Sequence, residues 1–523
     1  MKTLLSLCFL LAICIASFGQ AKGKVFSDIN KNQLADADEP GIENVLVSNG
    51  TDVVKTDKNG NYQIPIKSGN ILFVIKPQGW CTPLNKYKLS KFYYIYKPDG
   101  SPVLKVAGSM PTGPLPDHIN FPLYPTKEPD NFELFVMGDL QPSNAREAEY
   151  LAKNIISEVA NDTIRKFGIS LGDVVSNNIE DYPMINDIVS KIGIPFYHAI
   201  GNHDLNFDAP TDELTDETFE ATFGPTTYAF QYAKTHFIIL DDVIYGDIDT
   251  RKYTGGLRDD QLTFIKNYLS FVPKNDLVVC CMHIPLFKEV AKYYYGVETF
   301  RVNDRLKLFE LLKHYPNTLS LSAHTHYQMQ YFFTAEEGWK QPNPHHHYNV
   351  GTACGDWFNG LYTIDGYPDA TMRDGTPKGY AIMQVKGNQY SIRYKVAGAP
   401  RAKQMSLFVA STDTLNPSKT YVYANFYMGY NQSKVFCQFD KSGTWEPMTK
   451  SIELDNRLVA MRKMIQKSGK DIPGKQISDP QPCQHLWKIA IPDQMTKGSH
   501  TVQVKVQDMY GNKFEDKLVF LVQ

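Results

Sequence analysis

FVMGDLQP, residues 135–142, runs apolar from Phe135 to Met137 and then breaks into Gly138, Asp139, Leu140 and Gln141. Its lead, ELFVM, reads as a buried strand, and the break leaves an acid and an amide two residues apart. A lone Asp at a strand end is ordinarily a turn or capping residue. The neighbourhood argues otherwise, because the same break recurs. A strand reaches Gly172 and Asp173, IPFYHAI runs into Gly201, Asn202, His203 and Asp204, LVVCCM runs into His283, and TLSLSA runs into His324 and His326. Helical patterns lie between: Asn144 and Glu147 fit a capping box before the face Ala148, Leu151, Ile155, Ile156 and Val159, and Ile185, Ile188, Val189 and Ile192 mark another. Alternating strands and helices from Asn131 to about Gly398 predict an α/β fold. In open α/β sheets ligands bind beyond the carboxyl ends of the strands.

Asp139, Gln141, Asp173, Asn202, His283, His324 and His326 are therefore oxygen and nitrogen donors on loops gathered at one edge. Borderline divalent or trivalent metals take such a set. Seven donors exceed what one tetrahedral ion uses, and two ions sharing a bridging carboxylate account for the surplus.

Asp-x-Gln at 139–141, Gly172-Asp173, Gly201-Asn202-His203-Asp204, the later His283 and the His324-x-His326 pair resemble the calcineurin-like metallophosphoesterases. The flanking regions resemble the accessory domains of exported bacterial members. The resemblance implies a four-layer α/β/β/α core flanked by two all-β domains. It also implies that Asp139, Gln141 and His326 hold one metal, that Asn202, His283 and His324 hold a second, and that Asp173 bridges them. The ions would be divalent or mixed-valence: Mn, Fe or Zn. Gln141 stands where the family usually has His, Ser176 where the GDxx(D/N) motif has Asp or Asn, and Ala323 where Gly precedes the first His of the pair. With Ser176 in place of the Tyr of GDxxY, a purple Fe(III)–tyrosinate centre is not expected.

Such a pair activates a water between the ions and neutralises the phosphate oxygens. The expected activity is hydrolysis of a phosphate mono- or diester by a metal-bridging hydroxide, a phosphatase or phosphodiesterase. His203 is expected to stabilise the transition state or protonate the leaving oxygen, oriented by Asp204. His198 reads as a core histidine. His345, Trp357 and Phe358, in HHHYNVGTACGDWFNG, are candidates for the substrate pocket wall, against a packed crossing loop or a solvated face. Tyr293–Tyr295 could shape access, and Arg301 reads as helix surface.

The 523-residue chain has 42% hydrophobic content and a net charge of −2, so it has ample core material and no basic field for nucleic acid. The start, MKTLLSLCFLLAICIASFGQA, reads as a signal peptide because its apolar run falls short of the roughly 20 residues that span a bilayer. A secreted or periplasmic bacterial protein without a transmembrane anchor follows. The expected boundaries are a signal at 1–21, an N-terminal β-sandwich-like domain at 22–127, the catalytic domain at 128–398 and a C-terminal β-rich domain at 399–523. If the N-terminal domain is only accessory, removing it before Asn131 leaves the metal site intact. Cys437 and Cys483 share the last domain and could pair, whereas Cys280 and Cys281 read as packed thiols. DINKNQLADADE, Asp28 to Glu39, spaces oxygen donors as a calcium loop does, or as an Asx-rich turn does. Partners would be a phosphorylated small molecule or glycan, with cell-surface or glycan contact through the β domains. A different class remains open: a cell-surface glycan- or protein-binding protein whose metallophosphoesterase domain is catalytically weakened.

Overall fold

A computed structural model describes residues 19–247, 252–287, 300–411, 420–468 and 476–522. The central region holds two mixed sheets. In the first, Phe196–Ala199, Gly168–Leu171, Asn131–Met137, Gly379–Lys386 and Gln389–Val396 lie in that order. The first three strands run parallel, Gly379–Lys386 pairs antiparallel with Asn131–Met137, and Gln389–Val396 pairs antiparallel with Gly379–Lys386. The second sheet runs Tyr228–Tyr232, Thr235–Ile239, Leu277–Cys281, Thr318–Ser322, His345–Asn349, Met329–Phe333, parallel except at its two edges. Every residue of Leu277–Cys281 and of Phe196–Ala199 is buried, as expected when helices or a second sheet cover both faces. Crossover helices complete the four α/β/β/α layers: residues 145–159 and Tyr182–Ser190 serve the first sheet, Asp259–Leu269 and Val302–Leu312 the second.

The helix at 145–159 contains a π-turn, Ala152–Ile156, and the extra residue lets the adjacent Ile155 and Ile156 both face inward. Its cap differs from the expected box by one position. Asn144 Oδ1 accepts the Glu147 N–H at 3.1 Å, but the Glu147 carboxylate reaches back to the Ser143 N–H at 2.8 Å.

On either side lie β regions, each of two four-stranded sheets, and the second also carries the helix Asn456–Ser468. The first strand, Gly19–Ser27, begins inside the segment read as leader: Gly19 pairs with Ile66 and Ala21 is buried. Cys437 and Cys483 are free thiols on strands of different sheets, so the expected pairing is not formed, while Cys280 and Cys281 are packed thiols as anticipated. In the loop from Asp28, Gln33 N–H donates to Asp28, Asn32 N–H to Asn30 and Leu34 N–H to Asn32. These are the bonds of an Asx-rich turn. Among the described residues no helix is long and apolar enough to cross a membrane. Tyr293–Tyr295 lie outside the described residues.

Candidate metal centre

All seven donors occur where parallel strands end. Asp139 and Gln141 follow Asn131–Met137, Asp173 follows Gly168–Leu171, Asn202 follows Phe196–Ala199, His283 follows Leu277–Cys281, and His324 and His326 follow Thr318–Ser322. Two glycines let these turns approach. Gly172 has φ +94°, and a Cβ there would lie 2.6 Å from His283 Nδ1; a Cβ on Gly201 would lie 2.2 Å from the Asp173 nitrogen. Gln141, Asp173, His324 and His326 themselves have positive φ, backbone strain concentrated at one place.

The side chains converge. His283 Nε2 is 3.0 Å from Asn202 Oδ1, 3.1 Å from His324 Nδ1 and 3.2 Å from Asp173 Oδ2. Its other nitrogen, Nδ1, is 2.8 Å from the Leu171 carbonyl, which can only accept, so Nδ1 carries the proton and Nε2 presents a lone pair. His326 repeats the device: Nδ1 donates to the Gly355 carbonyl at 2.5 Å and Nε2 faces Asp139 Oδ2 at 3.1 Å. Asp139 Oδ2 is buried with no hydrogen-bond partner, an expensive arrangement for a carboxylate unless a cation completes it. Gln141 directs Nε2 to Asp173 Oδ2 at 3.0 Å and Oε1 to the Cys354 thiol at 3.6 Å; a half-turn of the amide exchanges them and puts the oxygen on the carboxylate side. Lone pairs facing lone pairs, with the competing protons tied back to carbonyls, fit bound metal. Asp173, His283 and His324 form the tightest group, with ligand atoms within 4.8 Å of one another.

Burial works against charge here, and the acids override it unevenly. Burial disfavours the charged imidazolium of His283, but the Asp173 carboxylate pushes this residue up to about 10, so that a proton sits on Nε2 until a cation displaces it. Burial and the His283 charge hold His324 down at about 3. The two rings therefore do not share positive charge.

Comparison with known proteins bears on the same residues. The family described as calcineurin-like phosphoesterase matches residues 132–328, and those described as its N terminal and C terminal match 29–105 and 347–514. The chain belongs to the calcineurin-like phosphoesterases. A probable glycerophosphodiester phosphodiesterase from Arcobacter nitrofigilis is 25% identical over 160 residues, 30% of this chain; the match spans about half, 55%, of that relative. A purple acid phosphatase from yellow lupin seeds is 13% identical, with a TM-score of 0.38 over 68% of this chain and 67% of that one.

In this phosphoesterase some expected roles shift. Asp204 does not orient His203: its carboxylate accepts the backbone N–H groups of Val174, Val175 and Gly201, at 2.9 Å for the first and last. Burial, with the Asp173 charge, raises Asp204 to about 8. The residue that meets the His203 ring is Asn177, whose Oδ1 lies 2.7 Å from Nδ1. The motif position at Ser176 is thus empty of an amide because the amide stands one residue later. The main-chain N–H of His203 donates to Asp173 Oδ1 at 2.8 Å.

His345 is not a pocket residue. It opens its strand, one residue before His346, which pairs with Leu319, and its ring nitrogens lie 2.8 Å from the Thr318 and Ser320 hydroxyls. The whole run is buried, not solvated: His347 bonds Ser320 and Ser322, and His346 bonds Tyr390 and Gln330. Phe358 is 2% exposed, with its ring packed on Tyr150, and offers no face to a ligand. Trp357 does reach the centre, stacked on His326 with ring centroids 3.8 Å apart. His198 is a core histidine between Phe196 and Phe223, and Arg301 precedes the helix Val302–Leu312 as an exposed N-cap. Besides Asn177, two residues were missed. Asp242 holds the His283 turn by accepting the N–H groups of His283 and Ile284, and the break FIILDD at 237–242 is the same signal as the others. Cys354 lies under Gln141 and His326, with nothing in its local sequence to mark it.

Proposed function

We propose that this chain is an exported phosphoric ester hydrolase that cleaves a phosphate mono- or diester. Asp139, Gln141 and His326 would hold one metal ion and Asn202, His283 and His324 a second, with Asp173 between them. The observation that carries the reading is His283 Nε2, its lone pair within 3.2 Å of three other donors. Two ions in such a site activate water and neutralise the charge that builds on the phosphate oxygens. The protein's own share is orientation and proton movement. The Leu171 and Gly355 carbonyls fix the tautomers of His283 and His326. Asn177 Oδ1 accepts from His203 Nδ1, so Nε2 is the nitrogen left to take the ring's second proton, and the imidazolium would give that proton to the leaving oxygen. Asp204 shapes both turns through their N–H groups. The name of the Arcobacter relative favours a diester among the substrates.

The test is hydrolysis of p-nitrophenyl phosphate beside bis-p-nitrophenyl phosphate, on protein stripped with chelator and reloaded in turn with Mn, Zn, Fe and Co. Restoration by at least one metal is expected, together with loss of bound metal and turnover in Asp173→Asn. Full activity in the stripped protein, or in Asp173→Asn, would end the assignment.

A further inference from the structure

The N-terminal β region sends residues 97–112 across the catalytic region. Lys97 is buried between Glu217 and Glu220, at 2.5 and 2.7 Å. Asn206 Nδ2 donates to the Val106 carbonyl at 3.0 Å, and the Asp208 carboxylate accepts the Lys105 N–H at 2.6 Å. The segment is therefore fixed against Leu205–Asp208, the residues that directly follow Gly201-Asn202-His203-Asp204. Where the two meet is a cavity of about 410 Å³, lined by Lys105 and Val106 on one side and by Ser176, Asn177, Ile179 and Phe207 on the other. Asn177 is shared with the centre, since its Oδ1 holds His203 Nδ1 at 2.7 Å.

We propose that this cavity is the leaving-group subsite and that it selects an uncharged, hydroxyl-bearing leaving group of sugar size. The inference rests on His203 facing the leaving oxygen, because a group departing there passes Asn177 into this space. Its walls suit one face and one rim of a sugar. Ile179 and Leu205 are buried apolar floor, while the Ser176 hydroxyl, the Asn177 amide and the exposed Lys105 are placed for hydroxyls. The lining holds Glu180 and Asp208 against the single cation Lys105, which disfavours an anionic leaving group such as a nucleoside phosphate. Two of the eleven lining residues, Lys105 and Val106, thus come from outside the metal-bearing region, and the N-terminal region is a part of the substrate site.

The experiment uses the full chain reloaded with its best metal and compares glucose 1-phosphate with p-nitrophenyl phosphate, each also as its methyl diester. Within each pair the transferred phosphoryl group is the same and only the leaving group differs. In Lys105→Ala the kcat/KM ratio of sugar to aryl substrate is expected to fall about tenfold, carried mainly by KM, since a hydrogen bond from a charged donor is lost. Lys105→Arg should restore much of it, and Val106→Trp, which fills the cavity, should lower it further. A wild-type enzyme that turns over the aryl ester but not the sugar ester overturns the assignment, as does an unchanged ratio in both Lys105→Ala and Val106→Trp. Inactivity of the wild type on every ester with every metal would instead overturn the hydrolase reading itself.

Discussion

Asn177 is exposed, takes a left-handed backbone with φ 70°, and puts an uncharged oxygen on His203 Nδ1. Asn tolerates that conformation better than most residues, so the position serves both turn and ring. An amide oxygen orients the imidazole as a neutral acceptor; a carboxylate in its place would orient the ring and also favour the imidazolium. Asn177→Asp is therefore expected to move the alkaline limb of the kcat/KM–pH profile up by about one unit, and Asn177→Ala to lower kcat about tenfold with metal content unchanged. An unmoved limb in Asn177→Asp would separate Asn177 from proton transfer. Buried histidines elsewhere govern stability. Burial alone lowers His198 from 6.5 to about 3, and both its nitrogens lack partners. As pH falls from 6.5 toward 3 the unfolded chain takes up a proton at this position that the native chain refuses, so stability drops in that window. Urea midpoints at pH 6, 5 and 4 should show a dependence shallower by about 1.4 kcal/mol per pH unit in His198→Phe, which also suits the neighbouring Phe196 and Phe223.

At the scale of strands and turns, the centre depends on small residues at two strand ends. Gly172→Ala would bring a methyl within 2.6 Å of His283 Nδ1 at a backbone angle that alanine resists, displacing the ring whose Nε2 meets three other donors. Metal analysis of Gly172→Ala should show loss of at least one ion per chain at equal folding by circular dichroism; unchanged occupancy would mean the turn can relax. This is why the donor series was legible: each donor ends an apolar run, and buried parallel strands announce themselves by composition. The cap at Asn144 was legible for the same reason, though not its one-residue offset at Ser143. His345–His347 was not. A polar run in a buried strand is tolerated only because Thr318, Ser320 and Ser322 on the adjacent strand answer ring for hydroxyl, and that register is invisible in one sequence. Nor could spacing foresee that Asp204 would be consumed by N–H groups while Asn177 took its expected place.

Across the whole molecule, the flanking regions are built into the centre. Behind His326, Arg373 N–H donates to its carbonyl at 3.2 Å, and Asp374 accepts both the Gln328 N–H at 2.9 Å and His485 Nε2, from the C-terminal sheet, at 3.0 Å. On the other side Lys97 joins Glu217 and Glu220 with side-chain exposures of 7%, 4% and 18%, and Lys76 joins Glu128 at 7% and 1%. Removing one partner of a buried pair leaves an uncompensated charge, typically at about 3–5 kcal/mol. A surface pair such as Lys153–Glu149, 60% and 56% exposed, contributes little because solvent screens it. Lys97→Met is therefore expected to lower the free energy of unfolding by about 3–5 kcal/mol and Lys153→Met hardly at all, read from urea transitions of the full chain. The same reasoning opposes treating the first 130 residues as detachable. A chain beginning at Asn131 would keep all seven donors, but it would expose Glu217 and Glu220 without Lys97 and uncover the apolar residues that pack against Phe73, Phe92 and Leu123 in one continuous cluster. It should be recovered aggregated or with a greatly lowered melting temperature, and a soluble, metal-loaded fragment with the full chain's stability would show that the interface is dispensable.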